Sequence, residues 1–114
     1  MPANWNGPAE PPQVRAAGDI ANALGVGMER GGLLLDESQL GPAFFDLTTG
    51  LAGELFQKFT NYRVRLAIVV ADAQAHGSRF SELAWEHRVH NTVRFFTTEQ
   101  SARQWLAYNP VVRC

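Results

Sequence analysis

Cysteine is almost missing from this chain, since Cys114 is the only one among 114 residues. One thiol cannot form an intramolecular disulfide, so we expect a reducing, cytoplasmic setting. Positive charge is not in excess either: ten basic and eleven acidic residues give a formal charge of −1. This balance argues against nucleic acid as a partner.

No apolar run approaches the roughly 20 residues that a membrane span needs, and no signal-peptide pattern opens the sequence. We therefore expect no membrane partner.

What the chain does contain is a normal globular mixture, with 46% hydrophobic and 18% charged residues. Its length suits one compact domain. The opening letters MPANWNGPAEPP hold four of the six prolines and show no periodicity. We therefore predict a flexible, proline-rich segment at residues 1–12 and a single α/β domain at residues 13–114.

Apolar strand patterns alternate with helical patterns along this domain. The strand candidates are Val14–Ala16, Leu33–Leu35, Val64–Val70 and Thr92–Thr97. Such alternation predicts a four-stranded, mainly parallel sheet with helices packed on it. Leu66–Val70 is apolar on both faces, which predicts that it is the central strand.

Local signals set the expected helix ends. Asp19 is a candidate N-cap for the first helix, and Gly25 with Gly27 is expected to end it. The pair Thr97 and Gln100 fits a capping box for the last helix.

The main helix is predicted at Thr49–Asn61, with Thr48 or Thr49 as its N-cap. Its apolar stripe comprises Leu51, Ala52, Leu55, Phe56 and Phe59, and its polar face comprises Glu54, Gln57, Lys58 and Asn61. Glu54 and Lys58 have the i, i+4 spacing of an ion pair. The polar face is either a solvated hydrogen-bonding network or a recognition surface, and the pattern leaves both open.

The segment from Asp46 to Gly50 precedes this helix. A helix N-terminus offers unpaired amide hydrogens and a positive dipole end, which suits a small anion. Thr48, Thr49 and Gly50 would let a phosphate or carboxylate approach. The alternative is plain capping, in which Asp46 and Thr49 satisfy these amides themselves, because the run lacks a glycine-rich phosphate loop.

Three histidines and two carboxylates raise the question of a metal or acid–base site. His87 and His90 have the i, i+3 spacing that can converge on one ion, but no cysteine supports them and His76 lies in a different loop. We therefore expect no metal and no cofactor. Asp72 or Glu86 could instead act as a general acid or base with His87 or His90, because ligands gather beyond the carboxyl ends of parallel strands.

A long central motif carries a family resemblance. It reads FFDLTTGLAGELFQKFTNYRVRLAIV and resembles the pattern FFDL-TGLAGE-QK-NYR-RLA of a bacterial family called domain of unknown function 4180. The matching positions are Asp46, Thr49, Gly50, Gly53, Glu54, Gln57, Lys58, Asn61, Tyr62 and Arg63. The resemblance runs from about Val14 to Leu106. It implies a small α/β domain similar to STAS-like regulatory folds, and it implies no established reaction.

Two strings depart from the family pattern. Members carry a glycine and an aspartate after the central strand, where this chain has Val70-Ala71-Asp72. In the next helix, an E-S-N-x-G-like string is replaced by Glu86-His87-Arg88-Val89-His90. A ligand that binds this string in relatives would therefore meet different side chains here.

The sequence favours a non-catalytic, cytoplasmic regulatory module that binds a protein partner or a small anionic ligand. The alternative is a small enzyme, of hydrolase or lyase type, that uses Asp72 or Glu86 with His87 or His90. A homodimer is also compatible with the sequence, because a small sheet leaves edges to cover. Trp85, Phe96, Trp105 and Tyr108 could form an aromatic contact between subunits or pack in the core.

Overall fold

The structure is a computed structural model that describes residues 12–107. Its helices are α1 (Ile20–Arg30), α2 (Pro42–Phe45), α3 (Leu51–Asn61), α4 (Ser78–Glu86) and α5 (Glu99–Ala107), and its strands are β1 (Leu33–Asp36), β2 (Leu66–Val69) and β3 (Val93–Phe96). Short 3₁₀ helices lie at Ala17–Asp19, Glu37–Gln39, Leu47–Thr49 and Ala73–His76. Most of the segment predicted to be flexible, and also Tyr108 and Cys114, lie outside the described residues.

The sheet is parallel, with strand order β1-β2-β3. Leu33, Leu66 and Val93 share one register row. This arrangement confirms the predicted α/β class and the central position of the Leu66–Val69 strand. The predicted count of four strands is wrong, because the described part of the chain forms three.

The missing strand was expected at Val14–Ala16. Val14 makes only an isolated parallel bridge to Leu40. Its extension stops because the Asp19 carboxylate accepts hydrogen bonds from the Arg15 and Ala16 amides, at 2.9 and 3.1 Å. Asp19 thus turns the chain into a 3₁₀ helix, and it gives α1 no side-chain cap.

The two faces of the sheet are covered unequally. One face carries the buried side chains Leu33, Leu35, Leu66, Ile68, Val93 and Phe95, and α1, α3 and α4 pack on this side. The other face carries Leu34, Asp36, Ala67, Val69, Arg94 and Phe96, which are half-buried except for Ala67. Helix α5 contacts all three strands there. Because burying a large apolar side chain contributes about 1.5–3 kcal/mol, the first face supplies most of the stability.

Aromatic rings fill the space between this main core and the helices. The Phe95 ring lies 5.8 Å from that of Phe56 in α3 and 5.5 Å from that of Phe80 in α4, both edge-to-face. Phe44 in α2 lies 6.0 Å from Phe56 and 5.9 Å from Phe80. The rings therefore join α2, α3 and α4 to β3.

Helix α1 continues past the glycines that were expected to end it. It stops at Gly31, whose left-handed backbone (φ 77°) is the conformation that glycine adopts at helix ends. Gly27 lies against the core: a Cβ built there would be 3.0 Å from Val64 Cγ1 and 3.1 Å from Phe59 Cε2. Gly27 therefore permits close packing instead of ending the helix.

Both ends of α5 are fixed by side chains. At its start, the Thr98 hydroxyl accepts a hydrogen bond from the Ser101 amide at 3.2 Å, so Thr98 is the capping residue where Thr97 was expected. At its end, the Arg65 guanidinium donates to the Trp105 and Leu106 carbonyls, each at 2.8 Å. Phe96 and Trp105 pack with ring centroids 5.6 Å apart, whereas Trp85 on α4 is exposed.

Across residues 12–107, none of the helices has the length and apolar character required to cross a lipid bilayer.

Candidate functional site

An open groove of about 710 Å³ lies between the α2 segment and the start of α4. Its polar and aromatic lining includes Phe45, Asp46, Thr48, His76, Ser78 and Arg79. We call it the carboxyl-edge groove, because one wall follows β1 in the chain and the other follows β2. Beyond the carboxyl ends of parallel strands is the common place for ligands in open α/β sheets. Its volume falls in the range of small-molecule sites, about 300–1,000 Å³.

His76 joins the two walls of this groove. Its ring is stacked on Phe45, with centroids 3.8 Å apart and planes 9° from parallel. Its Nε2 donates to Glu37 Oε2 at 2.7 Å. Nε2 therefore carries the hydrogen when the ring is neutral, which leaves Nδ1 as an acceptor.

Sequence reasoning did not find this pair. The sequence places His76 in a different loop from His87 and His90, and it predicts no role for Glu37. The available signal was positional, because Glu37 follows the carboxyl end of β1 and His76 follows that of β2.

Asp46 and Thr48 line the groove and also make capping contacts. Asp46 Oδ1 accepts hydrogen bonds from the Thr48 amide (3.1 Å) and the Thr48 hydroxyl (2.6 Å). These bonds lower the pKa of Asp46 below its ordinary value of 3.8, the hydroxyl contributing more than the amide. Asp46 is therefore a fixed negative charge on one wall at neutral pH.

Thr49 and Gly50 shape the backbone between Asp46 and α3. The Thr49 hydroxyl donates to the Ala43 carbonyl at 2.7 Å and accepts from the Leu51 amide at 3.2 Å. Gly50 occupies the N-cap position with φ 77°, so α3 begins two residues later than predicted. The contacts expected from capping are thus formed at this turn.

The opposite wall of the groove begins α4. Gly77, with φ 104°, holds the N-cap position, and no side chain caps the helix. Ser78 is the first helical residue and not the cap that its type suggests. Within residues 12–107, the side chains of Ser78 and Arg79 make no hydrogen bond and no ion pair. Arg79 therefore brings to the groove a positive charge that has no ion-pair partner among the described side chains.

The predicted polar face of α3 lies on a different surface. Glu54, Gln57, Lys58 and Asn61 are all exposed. Among the described residues these four side chains make no hydrogen bond or ion pair, so the expected Glu54–Lys58 pair is not formed. A hydrogen-bonding network among these four side chains was one of the two interpretations of the polar face, and the described residues do not form it. Glu54 and Lys58 instead line a second groove of about 450 Å³ between α1 and α3, the α1–α3 groove.

The residues predicted for acid–base chemistry are not brought together. Asp72 Oδ1 accepts from the Gln74 amide at 3.1 Å, and Glu86 is exposed. His87 Nδ1 donates to the Leu83 carbonyl at 3.1 Å. In the described range, no hydrogen bond or ion pair joins either carboxylate to His87 or His90.

His90 supports the edge of the sheet. Its Nδ1 accepts hydrogen bonds from the Thr92 and Val93 amides, both at 3.1 Å, so Nδ1 is unprotonated. Burial lowers the pKa of His90 below its ordinary value of 6.5, and the neighbouring charges of His87 and Arg94 lower it further. The His87 and His90 rings lie 5.0 Å apart, but residues 12–107 contain no group of three or more side chains able to hold a metal ion.

These features define a small α/β domain with a three-stranded parallel sheet and an open groove at its carboxyl edge. The chain belongs to the family described as domain of unknown function (DUF4180), whose family model matches residues 8–106. This match confirms the resemblance inferred from the central motif. No curated protein and no solved structure matches the chain. The similarity to STAS-like folds therefore stays a prediction.

Proposed function

We propose that this protein is a non-catalytic, cytoplasmic binding module with a regulatory role, and that its carboxyl-edge groove takes a small anionic ligand. The observation that carries the proposal is Arg79. Its positive charge lines the groove without a partner in the described residues. An arginine can bind a carboxylate through two parallel hydrogen bonds.

The charges that line the groove favour a monocarboxylate over a dianion as the ligand. Asp46 contributes a fixed negative charge to the same groove as Arg79. This charge disfavours a dianion such as phosphate, because like charges in one site repel each other. Phe45 and Leu47, both half-buried, add apolar surface. A carboxylate with a flat or apolar body, such as benzoate, fits both features.

The test is titration of the protein with benzoate, followed by backbone amide chemical shifts in NMR. We expect shifts concentrated at residues 45–48 and 76–80. Arg79→Gln should weaken binding about 10- to 100-fold, the loss expected for a hydrogen bond to a charged group, about 1.5–3 kcal/mol. Inorganic phosphate should bind more weakly than benzoate.

The matched control is Arg103→Gln. Arg103 is an exposed arginine of α5 that pairs with Glu99 and lies outside this groove. This variant should bind benzoate as the unaltered protein does. Equal weakening by both variants, or the absence of any shift at residues 76–80, would contradict the proposal.

An enzymatic alternative is favoured by one observation, the 2.7 Å contact between Glu37 and His76. A carboxylate that orients an imidazole is a general-base arrangement, and His76 Nδ1 would act as the base. The alternative would thus rest on this pair and not on Asp72 or Glu86 with His87 or His90. It requires the protein to hydrolyse an activated ester or lactone, and it requires His76→Gln to abolish turnover. Equal turnover by the variant would exclude it.

A further inference from the structure

The α1–α3 groove combines apolar and charged features on one exposed surface. Its apolar lining includes Ile20, Leu24 and Met28 from α1, and Tyr62 follows α3. Met28 and Tyr62 are large hydrophobic residues that are 55% and 56% exposed. Ile20 and Leu24 are buried, so Met28 and Tyr62 supply the exposed apolar surface of the groove beside its charged rim.

Two opposite charges lie on the rim of this groove. Glu54 and Lys58 are one helical turn apart on α3, about 6 Å along its axis. Neither is paired within residues 12–107, although their spacing allows it. A partner that offers one positive and one negative charge at the same separation and in the opposite order would pair with both side chains.

A second copy of the chain meets this requirement by symmetry. When two copies of α3 lie antiparallel across a two-fold axis between positions 54 and 58, each glutamate faces the lysine of the other copy. A two-fold interface is self-complementary in this sense, because the same surface is used twice. Tyr62, one helical turn beyond Lys58, then lies outside the charge pairs and faces the start of α3 in the partner subunit.

We infer that the protein forms a two-fold homodimer through the α1–α3 groove. Glu54 pairs with Lys58 of the partner subunit, and Lys58 pairs with Glu54 of the partner subunit. Tyr62 supplies the aromatic contact beside this charge quartet. Aromatic residues such as tyrosine are enriched at protein–protein interfaces.

Charge reversal tests the pairing directly. Sedimentation velocity over a dilution series should show dimers for the unaltered protein. Glu54→Lys and Lys58→Glu should each shift the dissociation constant upward at least about 10-fold, because each places two like-charged pairs across the axis. An equimolar mixture of the two variants should recover the affinity as a heterodimer, and so should the double variant E54K/K58E.

Glu82→Lys is the matched control for Glu54→Lys, since it makes the same change in net charge at an exposed position of α4 outside this groove. It should leave the dimer intact. Circular dichroism checks that every variant is folded, which we expect because both charged side chains are exposed.

Chemical crosslinking gives a second measurement that does not need a variant. Lys58 is the only lysine of the 114 residues. A carbodiimide joins a carboxylate to an amine without a spacer, so the dimer band should yield a peptide that links Lys58 to Glu54. Mixed isotope labelling of the two copies distinguishes this link from one within a chain.

The proposal is overturned if the protein is a monomer at every concentration. It is also overturned if a dimer persists in both single reversals, if mixing the two fails to restore affinity, or if Glu82→Lys weakens association equally.

Discussion

At the scale of single residues, the His90 imidazole has a defined structural role. It accepts two backbone hydrogen bonds through Nδ1 and therefore supports the start of β3 only when this nitrogen is unprotonated. Burial disfavours its protonation most, and His87 and Arg94 are the charged or titratable neighbours that add to this effect. His90, which the sequence offers as a candidate acid–base group, thus has a clear structural role.

This arrangement predicts pH-dependent stability. Because the pKa of His90 is below 6.5 in the folded protein, the unfolded chain takes up this proton more readily. The His90 contribution is fully present above pH 6.5 and is lost as the pH falls through the folded pKa. Urea unfolding between pH 7.5 and 5 should show a decline that is smaller in His90→Asn, which keeps an acceptor but does not titrate. Parallel declines would contradict the assignment.

Gly27 supports a prediction about packing. Gly27→Ala should destabilise the protein by about 1–3 kcal/mol, because the new methyl group overpacks the core at Val64 and Phe59. Gly53→Ala in α3 is the control: no atom lies within 4 Å of its added Cβ. That change should be neutral or stabilising by up to about 1 kcal/mol. Guanidinium unfolding of both variants measures the difference, and equal effects would count against the packing argument.

At the scale of elements, α5 depends on Arg65. The two bonds from the guanidinium satisfy carbonyls at the last turn of the helix. The guanidinium carbons of Arg65 and Arg94 also lie 5.3 and 4.9 Å from the centre of the Trp105 ring. Because α5 is the helix that packs on the second face of the sheet, the Arg65 hydrogen bonds help to keep that face covered.

Arg65→Lys should therefore lower the free energy of unfolding by about 1.5–3 kcal/mol, because an ammonium group cannot donate in the same fork. Hydrogen exchange should accelerate in α5 before it does in β2. Arg103→Lys, which alters an exposed i, i+4 pair on the same helix, should change stability by less than about 0.5 kcal/mol. Uniform acceleration across the domain would argue against a local anchor.

Some helices and strands could be predicted from the sequence, and some of their ends could not. The apolar run at Leu66–Val70 and the stripe of α3 were predictable, because burial periodicity is a local pattern. The end of α1 was not, since Gly27 is selected by contacts with Val64 and Phe59. Asp19 was predicted to accept hydrogen bonds from the amides that follow it, as an N-cap does, but it accepts them from the preceding amides of Arg15 and Ala16. The two roles look the same in the sequence.

The candidate site was harder to predict than the fold. Asp46 and Thr48 were found because they precede a helix. Glu37 and His76, in contrast, are 39 positions apart and meet only after the sheet has formed. The spacing of Glu54 and Lys58 predicted an ion pair, but both side chains extend into a groove made with α1, which no local pattern reveals.

At the scale of the whole molecule, the two grooves lie on different surfaces and use different residues. We therefore expect the proposed ligand binding at Arg79 and the proposed dimerisation at Lys58 to be separable. Arg79→Gln should leave sedimentation unchanged, and Lys58→Glu should leave benzoate titration unchanged. Cross-effects of more than about 10-fold would mean that the two sites are coupled, with a coupling free energy above about 1.4 kcal/mol.

The turn at residues 87–92 has a consequence for the protein's behaviour at high concentration. An outer strand with unpaired backbone groups invites neighbouring chains to add strands without limit. Here the Phe95 amide donates to the His87 carbonyl, and the Thr92 and Val93 amides are held by His90. The turn therefore occupies the amides that an added strand would need at the β3 edge, which disfavours fibril growth on that side.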